Sequence, residues 1–136
     1  MQRREALVGQ FQLFPMNTSI SLVTMSVGKP EPAWFEMTFF FKVTAPITEN
    51  WRVYFFGAPQ DSAALPQEFR ATGRQEWNFL PVPPTRDWQP GGYVLLKQRF
   101  QAVPVPYNFA VGFYQPPSKT FGVPAPTTVD LSQLRD

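Results

Sequence analysis

Sixteen prolines run through this 136-residue chain, from Pro15 to Pro126. Proline fixes φ and lacks a backbone N–H, so it breaks helices and is tolerated in sheets only at edges, strand starts and turns. Every regular element must fit between these points. The middle of the chain has no long segment with the three-to-four-residue apolar spacing of a helix. What lies between the prolines alternates instead. In residues 33–45, Phe35, Met37, Phe39, Phe41 and Val43 interleave with Glu36, Thr38, Phe40, Lys42 and Thr44. That period of two is the mark of a strand with one buried face.

Further strands are expected over 19–27, 51–57, 75–80, 92–100 and 107–114. Trp51, Val53 and Phe55 share one face of the second of these, and Arg52, Tyr54 and Phe56 the other. With the turn Ala45-Pro46-Ile47-Thr48-Glu49-Asn50 between them, residues 33–45 and 51–57 read as an antiparallel hairpin. The stretch 58–74 is long for a loop, and Ser62 to Arg70 has room for two helical turns. Pro81-Val82-Pro83-Pro84 reads as a strand-ending loop. About seven short strands punctuated by proline and glycine predict an all-β fold, an antiparallel β-sandwich of immunoglobulin-like or jelly-roll-like type. The expected organisation is an N-terminal arm (1–18), the sandwich (19–115) and a proline-rich extended tail (116–136).

The chain contains no histidine and no cysteine. It therefore lacks the commonest general base, the thiol nucleophile and the usual transition-metal ligands. Acid pairs such as Glu68 with Glu76, or Asp61 with Glu68, sit in no recognisable motif, and no phosphate loop or calcium loop is present. The expectation is a protein that is not an enzyme and takes no cofactor or metal. The twelve bases and ten acids are interspersed, which does not point to nucleic acid. Charged residues are only 16% of the chain, below the usual quarter. Such a surface suits an exterior partly covered by a partner.

These features predict a structural accessory subunit, docked on the protein subunits of a larger assembly that is itself embedded in a membrane. The apolar spacing of the first arm is helical, and it reads either as a first strand or short helix covering the sandwich edge or as an arm lying on a membrane surface or in a partner's groove, with Arg3, Arg4, Leu7, Phe11 and Phe14 as the expected docking residues. Pro117, Phe121 and Pro124 are their counterparts in the tail, which is expected to wrap either a partner or the domain itself. The start Met1-Gln2-Arg3-Arg4 is basic but is followed by no apolar stretch, and no run reaches the length of a membrane span. The expectation is a location peripheral to a membrane complex or in the cytoplasm. Trp34 and Trp77 are the expected exposed tryptophans, candidates for stacking on sugar rings, whereas Trp51 and Trp88 are expected in the core or at corners.

Thr85-Arg86-Asp87-Trp88-Gln89-Pro90-Gly91, the alternating residues to Phe100, and then Pro104 to Tyr107 with Phe109-Ala110-Val111-Gly112-Phe113-Tyr114 form a pattern. It resembles the β-sandwich domains appended to mannosyltransferase-type multi-spanning glycosyltransferases. Lys42-Val43-Thr44-Ala45-Pro46-Ile47 with Arg52-Val53-Tyr54-Phe55 is similar to another hairpin of those domains. The resemblance covers roughly residues 19–115 and departs at Gly92, where an acid is usual, and at Pro106, where a glycine is usual. It implies a non-catalytic module and, as the alternative function, carbohydrate binding associated with glycan transfer.

Overall fold

The computed structural model describes residues 4–16, 18–59, 75–102, 104–115, 119–121 and 127–134. Nine strands are described: β1 (Glu5–Pro15), β2 (Ile20–Glu31), β3 (Trp34–Val43), β4 (Arg52–Pro59), β5 (Gln75–Phe79), β6 (Tyr93–Phe100), β7 (Pro106–Gln115), β8 (Lys119–Phe121) and β9 (Thr127–Asp130). One sheet has the order β1-β2-β3-β6. The other has the order β5-β4-β7-β8, with β9 also on β7. All pairings are antiparallel. The fold is the expected all-β sandwich. Its order, with β3 between β2 and β6 and β4 between β5 and β7, is the Greek key of immunoglobulin-type sandwiches rather than a jelly roll. Among the described residues no helix is long and apolar enough to cross a membrane.

The strict alternation of β3 is kept: Phe35, Met37, Phe39, Phe41 and Val43 are all buried. They meet Val53 and Phe55 of β4 and Tyr107, Phe109, Val111 and Phe113 of β7, which are fully buried. The Phe39 and Phe55 rings lie 5.4 Å apart, Phe41 and Phe113 5.1 Å, and Phe100 and Phe109 5.8 Å. Tilted and edge-to-face contacts of this kind suit the ring quadrupoles. These phenylalanines thus form one interior seam between the sheets.

One expectation is corrected. Residues 33–45 and 51–57 do not form a hairpin. β3 and β4 belong to different sheets, and the turn after Val43 carries the chain across the sandwich so that their aromatic faces meet. Of the readings of the first arm, residues 5–15 take that of a first strand at the sandwich edge. They form edge strand β1, paired with β2 from Glu5↔Gly28 to Pro15↔Ser21. Two register shifts in β1, at Leu7/Gly9 and Gln10/Phe14, insert extra residues on this edge strand. Part of the tail wraps the domain: β8 and β9 pair with β7, and Val129, Leu131 and Leu134 join the core. The expected helical turns at 62–70 lie outside the described residues.

β2 also departs from simple alternation. A register shift between Leu22 and Thr24 lets both Leu22 and Met25 face the core, where both are buried. The strand continues through Gly28 and Pro30 to Glu31, closing a two-residue turn at Pro32-Ala33 with Glu31 opposite Trp34.

Candidate functional site

The outer face of the β1-β2-β3-β6 sheet follows from the register. Lys42 stands opposite Tyr93, Phe40 opposite Leu95, Thr38 opposite Lys97 and Glu36 opposite Arg99. On β2, Thr24 pairs with Phe40 and Ser26 with Thr38. Phe40 is thus an aromatic among Glu36, Thr38 and Lys42 on the outer face of β3. It stacks on Tyr93 with centroids 5.2 Å apart and planes 7° from parallel. The Lys42 ammonium lies 5.5 Å from the Tyr93 ring centroid, a cation–π distance. Tyr93 and Leu95 are 55% and 57% exposed, so this aromatic and aliphatic surface faces outward rather than into the core.

Beside it runs an open groove of about 330 Å³, lined by Arg4, Glu5, Lys29, Glu36, Leu95 and Lys97 among others. Gly28 forms part of its floor, with the Arg4 carbonyl 3.2 Å from where a Cβ would sit. The acids of this face are engaged within the protein. Glu5 accepts from the Ser26 hydroxyl at 2.8 Å, and Glu31 and Glu36 both pair with Arg99.

A second cluster lies on the outer face of the other sheet. Arg52 stands opposite Tyr114, Tyr54 opposite Gly112 and Asn78 opposite Tyr54. Arg52 Nη2 donates to Asn78 Oδ1 at 3.2 Å, and the Tyr114 hydroxyl lies 3.5 Å from the same oxygen. The Tyr54 and Tyr114 rings meet edge to face at 5.6 Å. Tyr54 lies across Gly112, where a Cβ would come within 2.6 Å of its ring and hydroxyl. Only a residue without a side chain admits the ring there.

The residues expected from sequence fall unevenly on these surfaces. Leu7 is exposed on β1, and Arg4 lines the groove. Phe14 is half-buried and packs against the core. The backbones of Phe11 and Phe121 lie in β1 and β8, while Arg3, Pro117 and Pro124 lie outside the described residues. Trp34 and Trp77 are not brought together as an exposed pair. Trp34 stands at the β2–β3 turn and is 37% exposed. Trp77 turns inward from β5, stacking on Phe55 at 5.0 Å and meeting Phe100 at 4.9 Å. Trp51 and Trp88 are buried, as expected.

Sequence reasoning missed Phe40, Tyr93 and Leu95 as a group, although an aromatic among Glu36, Thr38 and Lys42 was the available signal. It also missed Tyr54 with Tyr114 and Asn78, which only the strand order makes neighbours. No group of three or more His, Cys, Asp or Glu residues among the described residues is arranged to hold a metal ion. Comparison with protein families, curated proteins and solved structures finds no match, so both surfaces stand on their own geometry.

Proposed function

We propose that this protein is a non-catalytic β-sandwich subunit that docks on a larger multi-subunit assembly through the outer face of its β1-β2-β3-β6 sheet. The observation that carries this reading is the exposed Tyr93, stacked on half-buried Phe40, with exposed Leu95 beside it. An ordered aromatic stack left open to solvent, with lysines around it, has the composition of a docking surface with a central anchor and polar rim. The absence of histidine and cysteine from the chain is in keeping with it. Docking is assigned to this face rather than to free arms, because β1, β8 and β9 are held in the sheets.

The test is affinity capture of the native assembly, with its components identified, by the wild type and by a Tyr93→Glu, Leu95→Glu variant. The variant should lose capture by about tenfold or more, the scale of anchor residues at an interface, while its thermal unfolding is unchanged. Equal capture by a folded variant would sink the assignment of this face.

The Tyr54–Tyr114 cluster favours a second reading, a carbohydrate-binding module of the kind the glycosyltransferase resemblance implies. Sugar C–H faces pack on tyrosine rings, and Arg52 and Asn78 beside them would supply donors to hydroxyls. Glycan titration monitored by tyrosine and tryptophan fluorescence tests it. The response should vanish in Tyr114→Ala; a flat response across neutral and acidic glycans would remove the reading.

A further inference from the structure

We infer that β6 binds its partner by strand addition, taking an extended segment with acidic and apolar residues along Tyr93–Lys97; this rests on the docking role of the same face. The two edges of this sheet differ in a way that packing does not require. β1, at one edge, is broken by two register shifts, holds Leu13 in the left-handed region at φ 50° and ends at Pro15. Those are the devices that keep an edge strand from pairing further. β6, at the other edge, runs in unbroken register with β3 from Lys42↔Tyr93 to Phe35↔Phe100. It has no proline or bulge, and among the described residues it pairs with β3 alone.

The direction of its backbone groups follows from one bond. Val43 N–H donates to the Gly92 carbonyl at 2.9 Å. In an antiparallel ladder the hydrogen-bonded rows alternate, so Val94, Leu96, Gln98 and Phe100 bond towards β3. The N–H and C=O groups of Tyr93, Leu95, Lys97 and Arg99 therefore aim away from it. The last of these carbonyls is reached by a side chain: Gln98 Nε2 donates to the Arg99 oxygen at 3.1 Å. Gln98 thus closes the edge at its far end, and the length left for an added strand is Tyr93–Lys97.

Charge selects the occupant. β6 contains Lys97 and Arg99 and no acid, and Lys42 flanks it over Tyr93. The neighbouring acids Glu31 and Glu36 are both on Arg99. A second copy of the chain would bring two Lys97 and two Lys42 side chains to one seam without adding an acid to either β6. A partner strand with carboxylates at its ends and β-branched residues between them meets Lys97, the apolar Val94–Leu96 stretch and Lys42 in turn. Main-chain bonds would supply the affinity and these side chains the selectivity.

The probe is the synthetic peptide acetyl-Glu-Val-Ile-Val-Glu-amide, followed through the backbone amide signals of ¹⁵N-labelled protein. The expected result is shifts centred on the amides of Tyr93, Leu95 and Lys97, with a Kd of about 1 mM or tighter. Binding should weaken by about tenfold or more, roughly one hydrogen-bonded contact or charge pair, in three cases. These are the same peptide N-methylated at its central residue, a peptide with lysines for the glutamates, and a Leu95→Pro protein. Leu95→Pro removes an N–H that aims away from β3, so no ladder bond is lost, and Leu95→Thr, which retains that N–H, should still bind.

Should the proline variant fail to fold, the N-methylated peptide decides the matter on the wild type. No shifts at millimolar peptide, or equal binding by the N-methylated or lysine peptide, would overturn the proposal. So would a wild-type dimer that Leu95→Pro dissolves, because the edge would then belong to a second copy. If Tyr93→Glu abolishes capture of the assembly while folded Leu95→Pro retains it, strand addition is wrong and docking by the face still stands.

Discussion

The side-chain hydroxyl of Thr85 accepts the backbone N–H of Trp51 at 2.8 Å and donates to the Glu49 carbonyl at 2.7 Å. Thr85 begins a short 3-10 turn before β6, while Trp51 stands at the mouth of β4 after the chain has crossed between sheets. One buried hydroxyl therefore ties the β3–β4 crossover to the approach of β6. Trp88, three residues on, donates from Nε1 to the Pro83 carbonyl at 3.0 Å and rests on Phe41. The Thr-x-x-Trp spacing is thereby accounted for as corner chemistry.

Thr85→Val keeps the shape and removes both bonds, leaving the Trp51 N–H and the Glu49 carbonyl without that partner. It should cost about 2–4 kcal/mol of unfolding free energy, since each buried polar group left unmet costs about 1–3 kcal/mol. Urea unfolding measures it, and Thr85→Ser, which retains the hydroxyl, should recover most of the loss. A Val variant as stable as wild type would show that the two bonds contribute nothing net.

Ala33 follows Pro32 in the β2–β3 turn and has φ 70°. Proline followed by a left-handed residue is the pattern of a type II turn, whose third position favours glycine. Ala33→Gly should therefore raise stability by about 0.5–1 kcal/mol, the relief of the Cβ clash less the added unfolded-state entropy. The check is a higher denaturation midpoint with an unchanged urea dependence.

Gly57 faces inward on β4. A Cβ there would lie 2.8 Å from Phe109 Cε1 and 3.0 Å from Tyr107 Cδ2, and both rings are fully buried. Since neither can swing into solvent, Gly57→Ala should destabilise by about 1–3 kcal/mol through overpacking. Thermal unfolding tests this; an unchanged midpoint would mean that β4 shifts freely on β7.

Arg99 pairs with Glu31 and Glu36, but the Arg99 and Glu31 side chains are 50% and 48% exposed. At that exposure solvent screening leaves little net gain, so Arg99→Gln should change stability by about 1 kcal/mol or less. The small difference should shrink further in high salt. Paired urea titrations at low and high ionic strength give the comparison.

How far the sequence could be read depended on what each pattern encodes. Alternation in β3 specifies a half-buried strand, and Phe35 to Val43 are buried as it requires. Alternation does not specify which strand lies beside it. Residues 33–45 and 51–57 carry equally amphipathic patterns, so pairing edge to edge and facing across a core look alike in one dimension. In β1 the spacing of Leu7, Phe11 and Phe14 left strand and short helix equally open, because a bulged edge strand keeps no strict period of two. Of the surfaces, Phe40 was visible as an aromatic out of place. The Arg52, Tyr54, Asn78 and Tyr114 cluster was not, because it joins three strands whose order is decided by the crossovers.

Those crossovers also bear on how the molecule comes to exist. Between β3 and β7 the chain changes sheets three times, at β3–β4, β5–β6 and β6–β7. Neither sheet can be completed without part of the other already in place. The Phe39–Phe55 and Phe41–Phe113 contacts join segments distant in sequence, so the loop-closure cost precedes the reward of burial. Folding should accordingly be a single slow event on the millisecond-to-second scale typical of β-sandwiches, with the aromatic seam and both sheets appearing together.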